Sequence, residues 1–237
     1  SGLNVFATNT FVIQKYPGIS FGSERRKHRN RKNIDYSQYE KLKNRAQLPI
    51  LVSVSEQSSV RDVKYKDRTV KNSVGLIGGD EGTVRCYNTY IADGRNFINE
   101  DIHHIRNVCI LGMDVVDRLF PFEDPLGKRI QVKGLDYTVI GLTERQGELF
   151  GESKDNFIAI PITTYLKRFS ERWTTLSIDV ESQSELTYEK TKDEVIGLMR
   201  SIRKVRPEAD NDFEIVTNTE MIEQFSGFTS GIKLFAL

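Results

Sequence analysis

Asn107-Val108-Cys109-Ile110-Leu111-Gly112, then Val116-Asp117-Arg118-Leu119-Phe120, then Asp124-Pro125-Leu126-Gly127-Lys128-Arg129-Ile130, then Tyr137-Thr138-Val139-Ile140-Gly141: this stretch decides the fold. The apolar run 108–111 predicts a buried strand that passes straight into a helix ending at Leu119-Phe120-Pro121. Pro125 fixes a turn, and the patterning of 129–132 and 137–142 about Lys133-Gly134 predicts a hairpin. Leu119, Phe120, Ile130 and Ile140 take core positions, while Gly94, Gly112, Gly127 and Gly141 stand where the chain turns or two backbones meet. Ahead of the stretch lies Ala92-Asp93-Gly94-Arg95-Asn96-Phe97-Ile98-Asn99-Glu100-Asp101, in which Arg95 and Asp101 can form an ion pair or brace a loop. Behind it, Phe157-Ile158-Ala159-Ile160-Pro161 predicts a strand whose proline opens a helix.

Working outward, residues 5–16 read as a strand ended by Pro17-Gly18, followed by a strongly basic run over 25–32. A helix is predicted over 37–47, with Asp35 as N-cap and Pro49 beyond its end. Strands are predicted over 50–56, 60–66, 69–77 and 83–91, with Gly78-Gly79-Asp80-Glu81-Gly82 as a hairpin turn. On the far side, a strand over 173–180 precedes the capping box Ser182-Gln183-Ser184-Glu185. The helix it opens reaches about 205, with Val195, Leu198, Met199, Ile202 and Val205 on one face and Pro207 behind. A short strand over 213–216 and a helix from 217 complete the chain. Each end therefore supplies strand–helix–strand, and the fold class expected is α+β: residues 1–92 and 171–237 form one discontinuous subdomain, and 95–168 an inserted one.

Composition removes several functions. The 237 residues carry 34 Lys+Arg against 33 Asp+Glu, a net charge of +1, far from the basic balance of a dedicated nucleic-acid binder. Two cysteines, Cys86 and Cys109, make no disulfide scaffold, and no Cys-x-x-Cys pair suggests zinc. Both fall in strand-like segments; they can pair in an oxidising compartment, but two buried free thiols are the favoured reading. Glu100-Asp101-Ile102-His103-His104 holds ligand types, but adjacent histidines point to different sides of a helix or strand, so a solvated loop is preferred to a metal site. There is no Gly-x-x-x-x-Gly-Lys-[Ser/Thr] loop and no Gly-x-Ser-x-Gly elbow, so neither ATP hydrolysis nor a serine hydrolase is indicated, and no cofactor is expected. The basic run 25–32 reads as a solvated loop, with contact to headgroups or a partner as the alternative. No run approaches the roughly 18 apolar residues of a membrane helix. The chain nevertheless stops inside an apolar segment, as a piece cut where membrane segments begin would.

The C-terminal segment carries Met221, Phe225, Phe228, Ile232 and Phe235 at alternating spacings of four and three, an a/d seam. Gly227 and Gly231 add a small-x-x-x-small pair. Packing on its own domain and contact with another subunit both account for such a seam.

The ordered series from Gly94 to Pro161 resembles the periplasmic core domain of MacB-type ABC transporter permeases, in the MacB/FtsX-like permease family. That family repeats G-R-x-F…D, V-x-x-L-G, L-F…D-P-[IL]-G-K, V-I-G and a hydrophobic-Pro pair. Here these fall on Gly94, Arg95, Asp101, Leu111, Gly112, Leu119, Phe120, Pro125, Gly127, Lys128, Ile140, Gly141 and Pro161. No single element is specific; their order and spacing are.

The resemblance implies a porter-like subdomain built from both chain ends, with a stalk helix from about 219, and an inserted Sabre-like subdomain. It implies an inner-membrane protein with this domain in the periplasm. The partners implied are a second copy of the permease or a paralogue, a cytoplasmic ABC ATPase, and a periplasmic adaptor with an outer-membrane channel. The function implied is transmission of ATP-driven motion, with no catalytic residue; within the family, export through an adaptor and outer-membrane duct, lipoprotein release, and signalling or division roles all stay open, export being the favoured one. The alternatives from other classes are a free-standing secreted enzyme and an extracellular binding module.

Overall fold

Secondary structure follows the sequence closely wherever a hydrophobic period meets a cap. The computed structural model describes residues 9–17, 28–149, 152–217 and 220. Its fold is mixed α and β and rich in sheet, the class expected, and it divides into two compact units.

The first unit takes its described residues from Ser1–Val54, Cys86–Asn88 and Trp173–Leu237. Strand β1 (Thr10–Gln14) lies between β14 (Glu214–Thr217) and β13 (Ser177–Ser182), antiparallel to both. Helices α1 (Tyr36–Arg45) and α6 (Glu185–Arg203) pack on each other in this unit. Asp35 caps α1, accepting from the Gln38 amide at 2.9 Å. The cap of α6 is Ser184 with Thr187, not the expected Ser182 with Glu185, because Ser182 is the last residue of β13. Val195 and Met199 are buried on α6 as the pattern predicts, whereas Leu198 and Ile202 are half-buried.

The second unit is Ser55–Arg85 with Thr89–Arg172. Strand β2 (Pro49–Val60) belongs to both units, so the expected boundary after residue 92 is corrected to the middle of this strand. The physical reason is pairing: Ser55 to Val60 hydrogen-bond along β5 (Val74–Gly79), which in turn runs parallel to β12 (Phe157–Pro161). Residues 55–85 are thereby bound into the block that the sequence placed after 92. In this unit the strand order from β2 is β2-β5-β12-β7-β9-β8-β3-β4, with β6 also on β9. Its other strands are β3 (Val63–Tyr65), β4 (Arg68–Val70), β6 (Ile91–Gly94), β7 (Val108–Leu111), β8 (Arg129–Val132), β9 (Leu135–Thr143) and a small ribbon, β10 (Glu148–Leu149) with β11 (Glu152–Ser153). The helices are α2 (Thr83–Cys86), α3 (Asn99–His103), α4 (Met113–Leu119) and α5 (Ile162–Phe169).

The hairpin β8–β9 forms about Lys133-Gly134, both at positive φ, as its turn chemistry requires. The strand expected over 83–91 is not formed. Thr83 and Asp80 instead close a helical turn: Asp80 N–H donates to Thr83 Oγ1 at 2.9 Å and Gly82 N–H to Asp80 Oδ1 at 3.0 Å. The core of this unit holds Val63, Leu76, Cys109, Leu111, Val115, Leu119, Ile130, Tyr137, Ile158 and Ile160, each fully buried.

Candidate functional site

The signature residues fall in the second unit, and the structure gathers the first of them around one carboxylate. Asp101, in the first turn of α3, has a completely buried side chain. Arg95 Nη1 donates to its Oδ2 at 2.6 Å and Arg95 Nη2 to its Oδ1 at 3.3 Å. Arg106 Nη1 reaches Oδ1 at 3.3 Å, and the Ile98 amide donates to Oδ2 at 3.1 Å. The expected Arg95–Asp101 pair is therefore present, and Arg106, which the sequence did not single out, completes it. Burial alone would push the Asp101 carboxyl up. The Arg95 hydrogen bonds, the Ile98 amide, the Arg95 charge and the Arg106 contact together outweigh that and hold it below the ordinary carboxylate range.

The brace extends through the backbone. The Arg95 amide donates to the Ile140 carbonyl at 2.8 Å, and the Arg106 amide to the Asp101 carbonyl at 2.9 Å. From α5, Thr163 Oγ1 donates to the Ile102 carbonyl at 2.6 Å and Thr164 Oγ1 to the Arg106 carbonyl at 2.9 Å. Gly94 pairs with Gly141 across β6 and β9, and Ile140 packs with Phe97 and Ile110. Leu111, Leu119 and Phe120 are core. Gly112 caps α4, with its amide on the Phe157 carbonyl at 3.0 Å. Pro125, Gly127 and Lys128 form the turn into β8; Pro125 is buried, Lys128 exposed, and the Gly127 amide donates to the Val139 carbonyl at 2.8 Å. Pro161 ends β12 and occupies the N-cap of α5, one position earlier than the first turn.

A second buried carboxylate had no signature in the sequence. Asp155 accepts from the Gln146 amide at 2.9 Å and the Gly147 amide at 2.8 Å, and its own carbonyl takes the Asp114 amide at 3.2 Å. Its only local sign is Ser153 two residues earlier, whose hydroxyl accepts the Asp155 amide at 3.0 Å.

Both carboxylates accept several hydrogen bonds, and what the arrangement does is hold loops to strands. His103 and His104 are exposed at the end of α3, and no group of three or more His, Cys, Asp or Glu among the described residues is placed to hold a metal ion. Cys86 and Cys109 are both buried, and neither is in a disulfide among the described residues. Of the basic run, Arg31 is engaged, with Nη1 on Glu214 Oε1 at 2.5 Å and on the Lys15 carbonyl at 3.1 Å. The seam Met221, Phe225, Phe228, Ile232 and Phe235 lies outside the described residues, among which no helix is long and apolar enough to cross a membrane.

Comparison with solved structures finds the same fold. The periplasmic region of MacB from Actinobacillus actinomycetemcomitans superposes with a TM-score of 0.73 at 19% identity, covering 93% of this chain and 94% of that one. The extracellular domain of the noncanonic ABC-type transporter YknZ from Gram-positive bacteria gives 0.65 at 17% identity, covering 88% of this chain and 100% of that one. Among curated relatives, the macrolide export ATP-binding/permease protein MacB of Chlorobium phaeobacteroides is 28% identical over 172 residues, 73% of this chain and 26% of that protein. MacB 2 of Yersinia pestis bv. Antiqua is 27% identical over 223 residues, 93% of this chain and 31% of that protein. The chain thus spans between a quarter and a third of these relatives' length. Residues 3–198 match the family described as MacB-like periplasmic core domain, and on that match this chain belongs to the MacB-like periplasmic core domain family.

Proposed function

We propose that this domain transmits ATP-driven motion from the membrane helices of an ABC transporter permease to substrate or to periplasmic partners, in export. The observation that carries the reading is the family match over residues 3–198. The curated relatives' name, macrolide export ATP-binding/permease protein, supports both the export direction and an ATPase coupled to the permease. The protein sits in the inner membrane with this domain in the periplasm. It works with a second copy or a paralogue, a cytoplasmic ABC ATPase, and a periplasmic adaptor leading to an outer-membrane channel.

The domain itself carries no chemistry. Its signature residues, from Gly94 to Pro161, are scaffold: a lever has to be stiff, and the double hold of Arg95 and Arg106 on Asp101 supports that role. We take the sequence seam Met221, Phe225, Phe228, Ile232 and Phe235, outside the described residues, as the contact to the partner subunit or a neighbouring stalk.

The test is Phe228→Asp with Ile232→Asp, made both in the full-length permease and in the isolated domain. Transport is expected to fall in the first while thermal unfolding of the second is unchanged. Unfolding of the isolated domain would assign the seam to its own core, and undiminished transport would end the coupling reading.

A further inference from the structure

Asp93-Gly94 is the one Asp-Gly step in the chain, which has no Asn-Gly step, and the fold leaves it open to its own chemistry. It lies in β6, which among the described residues pairs with β9 alone, with a register shift between Ile91 and Asp93. Gly94 faces Gly141, and the ladder bond beside them runs from the Arg95 amide to the Ile140 carbonyl at 2.8 Å. An antiparallel pair flanked in that way exchanges no bonds of its own, so the Gly94 amide points away from β9. It donates instead to Asp93 Oδ1 at 2.7 Å, which sets its nitrogen beside the carboxyl carbon. Both residues are exposed, and Gly94 has no side chain to screen that nitrogen. No ladder bond has to break for it to react.

We propose that Asp93 is a site of spontaneous covalent modification, turning to isoaspartate through a succinimide and loosening the Arg95 brace as it does. The Gly94 nitrogen bonds to the carboxyl carbon of Asp93 in its neutral acid form, and the amide proton and the carboxyl OH leave as one water. The ring then takes one water back. Addition at the side-chain carbonyl restores aspartate. Addition at the main-chain carbonyl breaks the original peptide bond and leaves the chain running through the Asp93 side chain. No atom is gained or lost overall, but one methylene has entered the backbone. β6 has no slack for it, since even a Cβ on Gly94 would meet the Ile140 carbonyl, Leu126 and Gly141. The residue displaced next is Arg95, whose Nη1 holds Asp101 at 2.6 Å. This inference rests on β6 and its neighbours, not on the transmission of motion.

The experiment ages the full-length permease in detergent for weeks in mildly acidic buffer, beside a free synthetic peptide of residues 86–95. Trypsin releases this stretch whole, because Arg85 and Arg95 bound it with no Lys or Arg between. From the aged permease it should split into two chromatographic peaks of equal mass. The new peak should accept a methyl group from S-adenosylmethionine through an isoaspartyl methyltransferase. The rate should lie within about tenfold of the free peptide's, since no opening of the sheet precedes the attack. Asp93→Glu, whose longer arm would have to close a six-membered ring, should stay a single peak. In the modified fraction the Arg95 amide should exchange hydrogen faster than in the parent. A single peak from the aged permease while the free peptide splits overturns the proposal, because the fold then protects the step. So does a new peak of greater mass, which places the change at the Asn88 amide, or equal splitting in Asp93→Glu. Equal exchange of the Arg95 amide in both forms overturns the loosening of the brace.

Discussion

Gly94 and Gly141 are register partners in β6 and β9, and neither has room for a side chain. A Cβ on Gly94 would collide with the Ile140 carbonyl, and one on Gly141 with the Arg95 carbonyl. Gly94 also sits at φ +79°. Gly94→Ala and Gly141→Ala should each cost about 2–4 kcal/mol, since backbone must move. Gly127 lies at φ +74° with nothing near it, so Gly127→Ala should cost only about 1 kcal/mol. Gly197, mid-helix in α6 and in open space, gives the opposite sign: Gly197→Ala should stabilise by about 0.5–1 kcal/mol. Urea unfolding of the four variants checks the order; a Gly141→Ala protein as stable as the parent would contradict it.

Two carboxylates in the second unit shift in opposite directions, which fixes the sign of their pH dependence. Asp101 is held below the ordinary range, so its contribution is complete above about pH 4 and is lost as pH falls through its lower folded value. Glu56, on β2, is pushed up by burial to about 7 from 4.5, with a backbone hydrogen bond at Gln57 acting in the opposite direction. Its contribution is complete below 4.5 and is lost as pH rises through about 7. Glu56→Gln should therefore raise stability at pH 7 and flatten the curve between pH 5 and 7, while Asp101→Asn should lower stability at pH 7 and remove part of the acid limb. Unfolding free energy measured across pH would refute this if Glu56→Gln steepened the neutral limb.

Legibility followed range. The β8–β9 hairpin was readable because Lys133-Gly134 and its flanking alternation are contiguous. The Arg95–Asp101 pair was readable because it spans one short helix entry. Residues 55–85 were misplaced because their assignment rests on β5 running parallel to β12, a pairing across about 80 residues that leaves no local mark. The segment 83–91 was misread because its apolar residues suit either element, and the Asp80–Thr83 hydrogen bonds decided for a helix. Asp155 and Arg106 were missed for a related reason: a charged residue reads as solvent-facing until its donors and acceptors are known. The ordered family signature supplied what periodicity lacked, and it did so through glycines and turns, not through chemical groups.

Tyr137 is fully buried among Cys109, Ile130 and Leu119, and its hydroxyl has no hydrogen-bond partner among the described residues. A buried hydroxyl without a partner costs about 1–3 kcal/mol against an apolar group of the same shape. Tyr137→Phe should therefore be neutral or stabilising by about 1 kcal/mol, raising the melting temperature. A destabilised Tyr137→Phe would show that a buried water satisfies the hydroxyl.

Arg203, at the end of α6, uses all five of its donors while its side chain is 1% exposed. Nε and Nη2 grip Asp212 at 2.7 and 2.8 Å, Nη1 reaches Gln38 Oε1 at 2.7 Å and the Asn33 carbonyl at 3.4 Å, and Nη2 also holds the Lys32 carbonyl at 2.8 Å. One guanidinium thereby fastens the segment entering α1, the start of α1 itself and the loop entering β14. Lysine has the charge but neither the planar fork nor enough donors, so Arg203→Lys should not behave as a conservative change. It should cost about 1–2 kcal/mol, and Arg203→Ala about 2–3, because the hydrogen bonds of a buried guanidinium are lost while its partners, Asp212 among them, remain partly open to water. The loss should appear as faster hydrogen exchange at the start of α1 and in β14, with the Asp101 region of the second unit unaffected. Equal exchange in Arg203→Lys and the parent would show that the fork is dispensable, and that the packing of α1 on α6 holds this end alone.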